Sequence, residues 1–380
     1  MSARGRSRVT DAPPARLHPA VARVWENPYL REAIVPAIFV VLAIIEFEYA
    51  GVPGLFVFSE VATRFSRDAI MALALVIPVV AGLGLNFAVV IGAIGGQIGL
   101  IIANDLGLHG LSGIGFAALV GVGLGMLTGR LIAWCLQRAP GREMIVGIVL
   151  GFLADGIYRL VLMVGYGTIW PAGSEEMVLS RGMGLRDTID FVAFRNVLDR
   201  LIPVKIGLGY FPLATIVFVL IVAALVLALL KSRTGQQFKA VGLDPRSAML
   251  AGLDPVAIKR RAIMLSTSLA ALSQVIYVQS VGMMNTYTAH RSVGFLAGAA
   301  LLAGGATVKR ASVRNALIGI AVFHWMFLLS PLAGQAITGS PAIGEYFRSF
   351  VTYGTICIAL VVTGWARRRP GSAAHHDQHI

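Results

Sequence analysis

Apolar stretches of roughly 17 to 23 residues follow one another from Ala33 to Trp365, each long enough to cross a hydrocarbon core of about 30 Å as a helix. Lipid offers the backbone no hydrogen-bond partners, so only helices or a closed barrel can span it. A barrel needs short strands alternating apolar and polar residues, whereas Phe211 to Leu230 is apolar all round. The chain therefore reads as all-α, a polytopic integral membrane protein of the cell membrane. Its composition agrees: 57% of its 380 residues are hydrophobic and 13% charged, with a mean hydropathy of +0.77, where soluble domains carry about a quarter charged residues.

Apolar runs and helix breakers place ten spans near residues 33 to 52, 69 to 86, 88 to 104, 114 to 136, 143 to 165, 211 to 230, 262 to 282, 293 to 307, 315 to 332 and 347 to 365. Two of these meet with almost no loop at Asn86, and the Gly/Ala-rich segment 293 to 307 is short enough to be a half-membrane element. The first run has no small-residue cleavage site behind it and is followed by further spans, so it reads as helix 1 and not a removable signal. With the N-terminus inside, most of the 32 basic residues fall in cytoplasmic segments, the largest group between Lys231 and Arg261. Both termini are expected in the cytoplasm.

The net charge of +13 is spread over short loops and forms no single basic face, so topology explains it and no nucleic acid partner is implied. The expected organisation is a disordered basic segment at 1–32, a membrane domain at 33–366 and a disordered tail at 367–380. The tail's His375, His376 and His379 read as solvated. The domain holds a long external loop, 166–210, and a cytoplasmic loop, 231–261. In the external loop Glu175, Glu176, Asp187 and Asp190 mix with the apolar piece Phe191 to Val197, which can form a short surface helix. Cys135 and Cys357 lie inside spans without metal-ligand spacing and read as small buried hydrophobes, with no metal or disulfide implied.

The cytoplasmic loop KSRTGQQFKAVGLDPRSAMLAGLDPVAIKRR carries the same punctuation twice. Asp244 before Pro245, and Asp254 before Pro255, each supply an N-cap carboxylate and a residue preset for the first helical position. A short helix from Pro245 to Ala251 should stop at Gly252, and a second should run from Pro255 into the next span. With Met249 and Leu250 on one side and Arg246 on the other, the short helix is suited to push against a soluble partner. The bland alternative is a loop containing one helical turn.

Gly242, Ala248, Gly252 and Lys259, in the frame AVGLDPRSAMLAGLDPVAIKR, are similar to the cytoplasmic signature of bacterial ABC-importer permeases of the simple-sugar, nucleoside and branched-chain amino acid group, and with Asp244, Pro245, Met249 and Leu250 they are the expected ATPase-coupling residues. The stretch LLAGGATVKRASVRNALIG resembles that group's Gly-Gly turn and following span, and the resemblance covers roughly Ala69 to Val362. It implies a second permease copy or homologue, cytoplasmic ATP-binding subunits coupled through the helix from Pro245, and an external solute-binding protein. This chain has no G-x-x-x-x-G-K-[ST] loop, so ATP would be bound by the partner and no cofactor by this chain.

Polar groups inside hydrocarbon are costly and tend to face a cavity or each other. Asn86, Gln97, Asn104, Gln274, Tyr277 and Gln279 are candidates for a solute path, or else for interhelical hydrogen bonds. Gly92, Gly95 and Gly96 beside Gln97 allow close helix contact or a kink. Amides suit a neutral solute, and no pair of charges is evident to receive a zwitterion, which ranks a sugar or nucleoside ahead of a branched-chain amino acid. Asp155 and Arg159, spaced i, i+4, form an intrahelical ion pair, and His324 is a hydrogen-bonded buried histidine. The competing reading is a proton-coupled secondary transporter using Asp155, Arg159 or His324. No nucleophile, base and orienting group can be assembled, so an enzyme is not expected.

Overall fold

A computed structural model describes residues 28–365 apart from 172, 174–176, 180, 181, 207 and 208. The basic residues before Pro28, the acidic pair Glu175 and Glu176, and the tail histidines lie outside the described residues. Helix α1 (Pro28–Ala50) starts inside the segment expected to be disordered. It is followed by α2 (Gly54–Val80), α3 (Val89–Asp105), α4 (Gly110–Leu136) and α5 (Glu143–Leu160), the last continued by a wider π turn over Val161–Gly165. Next come α6 (Leu213–Lys231), α7 (Arg233–Leu243), α8 (Pro245–Leu250) and α9 (Pro255–Val281). The last described helices are α10 (Ala289–Ala303), α11 (Val313–Thr338) and α12 (Pro341–Trp365).

Six of these are long and apolar enough to cross a membrane by length and composition: α1, α4, α5 with its π turn, α6, α9 and α11. Helices α3 and α10 are shorter and apolar. At 15 residues α10 is about 22 Å long, less than a full hydrocarbon core. The largest departure from expectation is α2, which begins at Gly54 and not near residue 69, and ends at Val80 and not at residue 86. Its charged first half lies outside the expected spans, yet Glu60, Arg64, Arg67 and Asp68 are helical, and Asp68 is only 8% exposed.

The centre is a helix cluster in which α9 packs against α2, α3 and α4. Glycines set the spacing: a Cβ on Gly92 or Gly96 would run into the backbone carbonyls of Thr267 or Ala271 on α9. Gly125 of α4 is held to the same helix by a 2.7 Å hydrogen bond from Thr267 Oγ1 to its carbonyl. Lipid gives no hydrophobic drive for helix association, so this close backbone approach, with its dense dispersion contacts, holds the cluster together.

The chain is not purely α. Strand β1 (Thr188–Asp190) pairs antiparallel with β4 (Met283–Asn285), and β2 (Val204–Ile206) with β3 (Gly209–Phe211). Residues 191–197 do not form the expected surface helix but successive hydrogen-bonded turns, interrupted by Asn196 at φ +54°. Tertiary bonds decide this: Phe191 N–H donates to Gly282 O at 2.9 Å and Asn196 N–H to Gln279 O at 2.7 Å. Phe191 and Phe194 are fully buried in a cluster with Met177 and Leu185, so this cap is docked onto the end of α9. The cysteines are free but not buried as expected, Cys135 being half-buried on α4 and Cys357 exposed on α12. Cys135 lines a cavity between α3, α4 and α5, and Cys357 lies on the surface of α12, where lipid solvates a thiol as well as a core does.

Candidate functional site

At the end of the molecule away from the β1–β4 cap, the chain after α6 forms α7, α8 and the start of α9, one helix more than the two Asp-Pro caps announce. Ser232 caps α7 through Gly235 N–H, and Phe238 and Val241 are buried beneath it. Gly242 lies against the carbonyl of Val80 at the end of α2, where a Cβ would not fit. Its place is thus in packing α7 onto the membrane helices. Asp244 Oδ1 accepts from Arg246 N–H at 2.9 Å, its Oδ2 accepts from Ser247 Oγ at 2.5 Å, and Pro245 follows at the first helical position. These bonds, that from Ser247 foremost, hold the Asp244 carboxyl below the usual carboxylate range.

Helix α8 buries Ala248 and presents Met249 at 55% and Leu250 at 91% exposure. It closes with Gly252 N–H on Met249 O and Leu253 N–H on Ala248 O, and Gly252 takes φ +80°, which L side chains rarely adopt. Asp254 then caps α9 through the N–H groups of Val256 and Ala257. Lys259 pairs with Glu143 at the start of α5 at 3.8 Å, and Gln137 Nε2 donates to Val256 O at 2.8 Å. A push on α8 thus has rigid routes into the bundle: α7 to the end of α2, and α9 to α5.

The intramembrane polar residues separate by what they touch. Asn86 accepts from Ala88 N–H at 3.1 Å in the turn before α3, and Asn104 donates to Met177 Sδ at 3.3 Å. Gln279 accepts from Leu198 N–H at 3.2 Å and donates to Asp199 at 3.4 Å, tying the cap to α9. Tyr277 lies under the Arg67 guanidinium at 5.0 Å. Gln97 and Gln274 are fully buried, and neither amide has a protein hydrogen-bond partner.

Two charge networks complete the interior. Asp68 of α2 lies 3.1 Å from Arg67 and 2.9 Å from His324 Nε2 of α11. Asp155 of α5 lies 3.1 Å from Arg159, its expected partner, and also 2.7 Å from His290 Nε2 and 3.6 Å from Arg291 of α10. The residues a proton-coupled carrier would use are thus divided between two networks on different helices. Arg64, Arg67, Asp68, His290 and Arg291 were not singled out by sequence. The usable signal was the i, i+4 spacing of Glu60, Arg64 and Asp68, which is helical.

A cavity of about 860 Å³ runs between α3, α4 and α5, lined by aliphatic side chains such as Ile94, Ile98, Leu131 and Leu153. At its cap end Tyr166 donates to Asp105 Oδ1 at 2.5 Å, and burial, with that bond, pushes the Tyr166 hydroxyl above its ordinary range. None of the six candidate path residues lines this cavity.

Comparison with known proteins places these features in context. The sequence model of a family described as branched-chain amino acid transport system, permease component, matches residues 57–360. No curated protein matches the chain. A solved structure described as an inward-facing conformation of an ABC transporter of metal-chelate type aligns at 14% identity with a TM-score of 0.43, over 86% of this chain and 98% of that one.

Proposed function

This chain belongs to the family of branched-chain amino acid transport system permease components, and we propose from that premise that it is the membrane half of an ATP-driven importer for a small solute without net charge. As an ABC transporter permease it is a multi-pass inner-membrane protein and a transport subunit, not itself an enzyme, and works with an ATP-binding subunit. In the proposed assembly residues 33–366 form a ten-span domain with both termini cytoplasmic. A second copy or homologue completes the path, two ATP-binding subunits sit under α7 and α8, and an external solute-binding protein docks on the cap. Closure of the ATP-binding subunits would press on α8 and alternate access to the path.

The observation that carries this reading is α8 itself, a helix fixed by caps at both ends that turns Met249 and Leu250 outward. Two bulky apolar side chains so exposed on a rigid helix away from the bundle suit a groove in a soluble partner. As for the solute, the preference for a sugar or nucleoside assumed no internal pair of charges. Arg67 and Asp68 inside α2 remove that ground. A zwitterionic branched-chain amino acid therefore ranks with a sugar or nucleoside, and it is the solute in the matched family's description.

The test is purification of the tagged chain from its native membrane in mild detergent, with mass spectrometry of what accompanies it. An ATP-binding subunit should come with the wild type and be lost with Met249→Asp and Leu250→Asp together. Its retention in that variant would refute the role of α8. Its absence from the wild type, with uptake sustained by a proton gradient, would refute the importer reading. Uptake of labelled leucine, ribose and adenosine then separates the solutes.

A further inference from the structure

Glu46 of α1 is buried without a counter-charge. It is 7% exposed and faces Ser330 of α11, whose hydroxyl donates to Glu46 Oε1 at 2.8 Å. Its Oε2 is shut away and has no protein hydrogen-bond partner. The other buried carboxylates among the described residues are better met. Asp68 and Asp155 pair with arginines, and Asp199 accepts from Thr215 and Gln279. Glu46 has one hydroxyl and no cation.

Its surroundings supply none. Phe47, next to it in the chain, packs against a buried cluster of Val57, Leu328 and Leu329, the last of these next to Ser330. The charged groups on the neighbouring helices are turned to one another. On α2 Glu60 pairs with Arg64 and Asp68 with Arg67, while His324 of α11 is turned to Asp68. On α10 His290 and Arg291 are turned to Asp155, and on α12 Arg348 pairs with Glu345. Glu48, on α1 itself, is exposed. An ionised carboxylate here would have neither the hydration nor the ion pairing that offsets burial, whereas the neutral acid needs neither.

The place suits a proton site. Ionisable side chains within membrane helices are rare and mark proton and ion routes. Glu46 lies about one turn from the end of α1 at which the chain turns into α2, the end where Phe211 of β3 stacks on Phe58. Pro331 directly follows Ser330 and removes a helical N–H, so α11 is weakest where it meets Glu46.

We propose that Glu46 is a proton-binding site, carried as the neutral acid in the folded protein and clasping α1 to Ser330 of α11 until alkaline medium takes the proton. The charge then left on the carboxylate has no cation to meet and draws Glu46 toward water at the cap end, which loosens α1 from α11. The site is separate from the Asp68 and Asp155 networks and depends neither on α8 nor on which solute is transported.

The full chain, purified in detergent, is compared with Glu46→Gln by infrared absorption in weakly acidic buffer, where a solvated glutamate is already ionised. The wild type should show the carbonyl stretch of a neutral carboxylic acid that Glu46→Gln lacks and Glu48→Gln keeps. Ser330→Ala should move that band to higher frequency, as a carbonyl does on losing its donor. Alkaline buffer should remove the band and lower the thermal midpoint of the wild type by about 2 °C or more relative to Glu46→Gln, whose amide stays neutral throughout. The sign is fixed because a proton held in the folded state and not in the unfolded chain makes stability fall as pH rises. Identical spectra of wild type and Glu46→Gln in weakly acidic buffer, or midpoints that respond alike to pH, overturn the proposal. So does stabilisation of the wild type by sodium ions at constant ionic strength that is lost in Glu46→Gln, which would make the ligand a metal ion and not a proton.

Discussion

Asp68 and His324 lie 2.9 Å apart, although 256 positions separate them in the chain and α2 and α11 belong to opposite halves of it. Both are buried, and Asp68 also takes Arg67, so one carboxylate balances a guanidinium and orients an imidazole. Removing one partner of a buried pair leaves an uncompensated charge in low dielectric, at a cost of about 3–5 kcal/mol. Asp68→Asn should therefore lower the thermal midpoint of the purified protein sharply. His324→Gln, which leaves the Arg67 pair intact, should lower it less. Equal midpoints for Asp68→Asn and wild type would mean that the network contributes nothing to stability.

The glycine spacing of the α3–α9 contact makes a paired prediction. A Cβ at position 96 would meet the Ala271 carbonyl, whereas one at Gly123 on α4 has nothing within 4 Å. Gly96→Ala must force the helices apart and should cost about 1–3 kcal/mol, while Gly123→Ala should be neutral or slightly stabilising through helix propensity. Denaturation in detergent distinguishes them. Similar behaviour of the two variants would show that α3 and α9 are less closely packed than described.

Gly252 closes α8 in a backbone conformation that costs an L residue about 1–2 kcal/mol. A Cβ there meets nothing within 4 Å, so Gly252→Val should disturb only the orientation of α8 relative to α9. Membrane insertion and yield should be kept, while ATP hydrolysis in the assembled transporter loses its dependence on solute. Wild-type transport by this variant would remove α8 from the coupling route.

What could be read from sequence follows the range of the forces involved. The start of α8 and of α9 was legible because Asp-Pro capping is complete within four residues. The Asp155–Arg159 pair was legible for the same reason, one helical turn of separation. Helix α7 was not, since its two glycines weaken its local signal and the burial of Phe238 and Val241 comes from elsewhere in the chain. The charged half of α2 falls outside the expected spans because what makes it tolerable in the bundle, His324 and the Tyr277 ring, lies more than two hundred residues away. The β1–β4 pairing was hidden likewise, Ile189 meeting Met284 across most of a hundred residues.

Gln97 and Gln274 allow a last distinction between stability and transport. Each is fully buried with both amide atoms lacking a protein partner, a state that costs about 1–3 kcal/mol per unmet group. If the amides serve only to fill space, Gln97→Met and Gln274→Met remove that cost at nearly constant volume and should raise the thermal midpoint without loss of uptake. If they meet the solute in another state of the transport cycle, the same variants should be as stable or more so, yet take up labelled solute at least tenfold more slowly, the loss expected when about 1.4 kcal/mol of binding is removed. The second outcome is the one expected here, because a buried amide without a partner is otherwise a pure cost in a helix packed this closely through glycine. Unimpaired uptake in both variants would withdraw the two residues from the solute path.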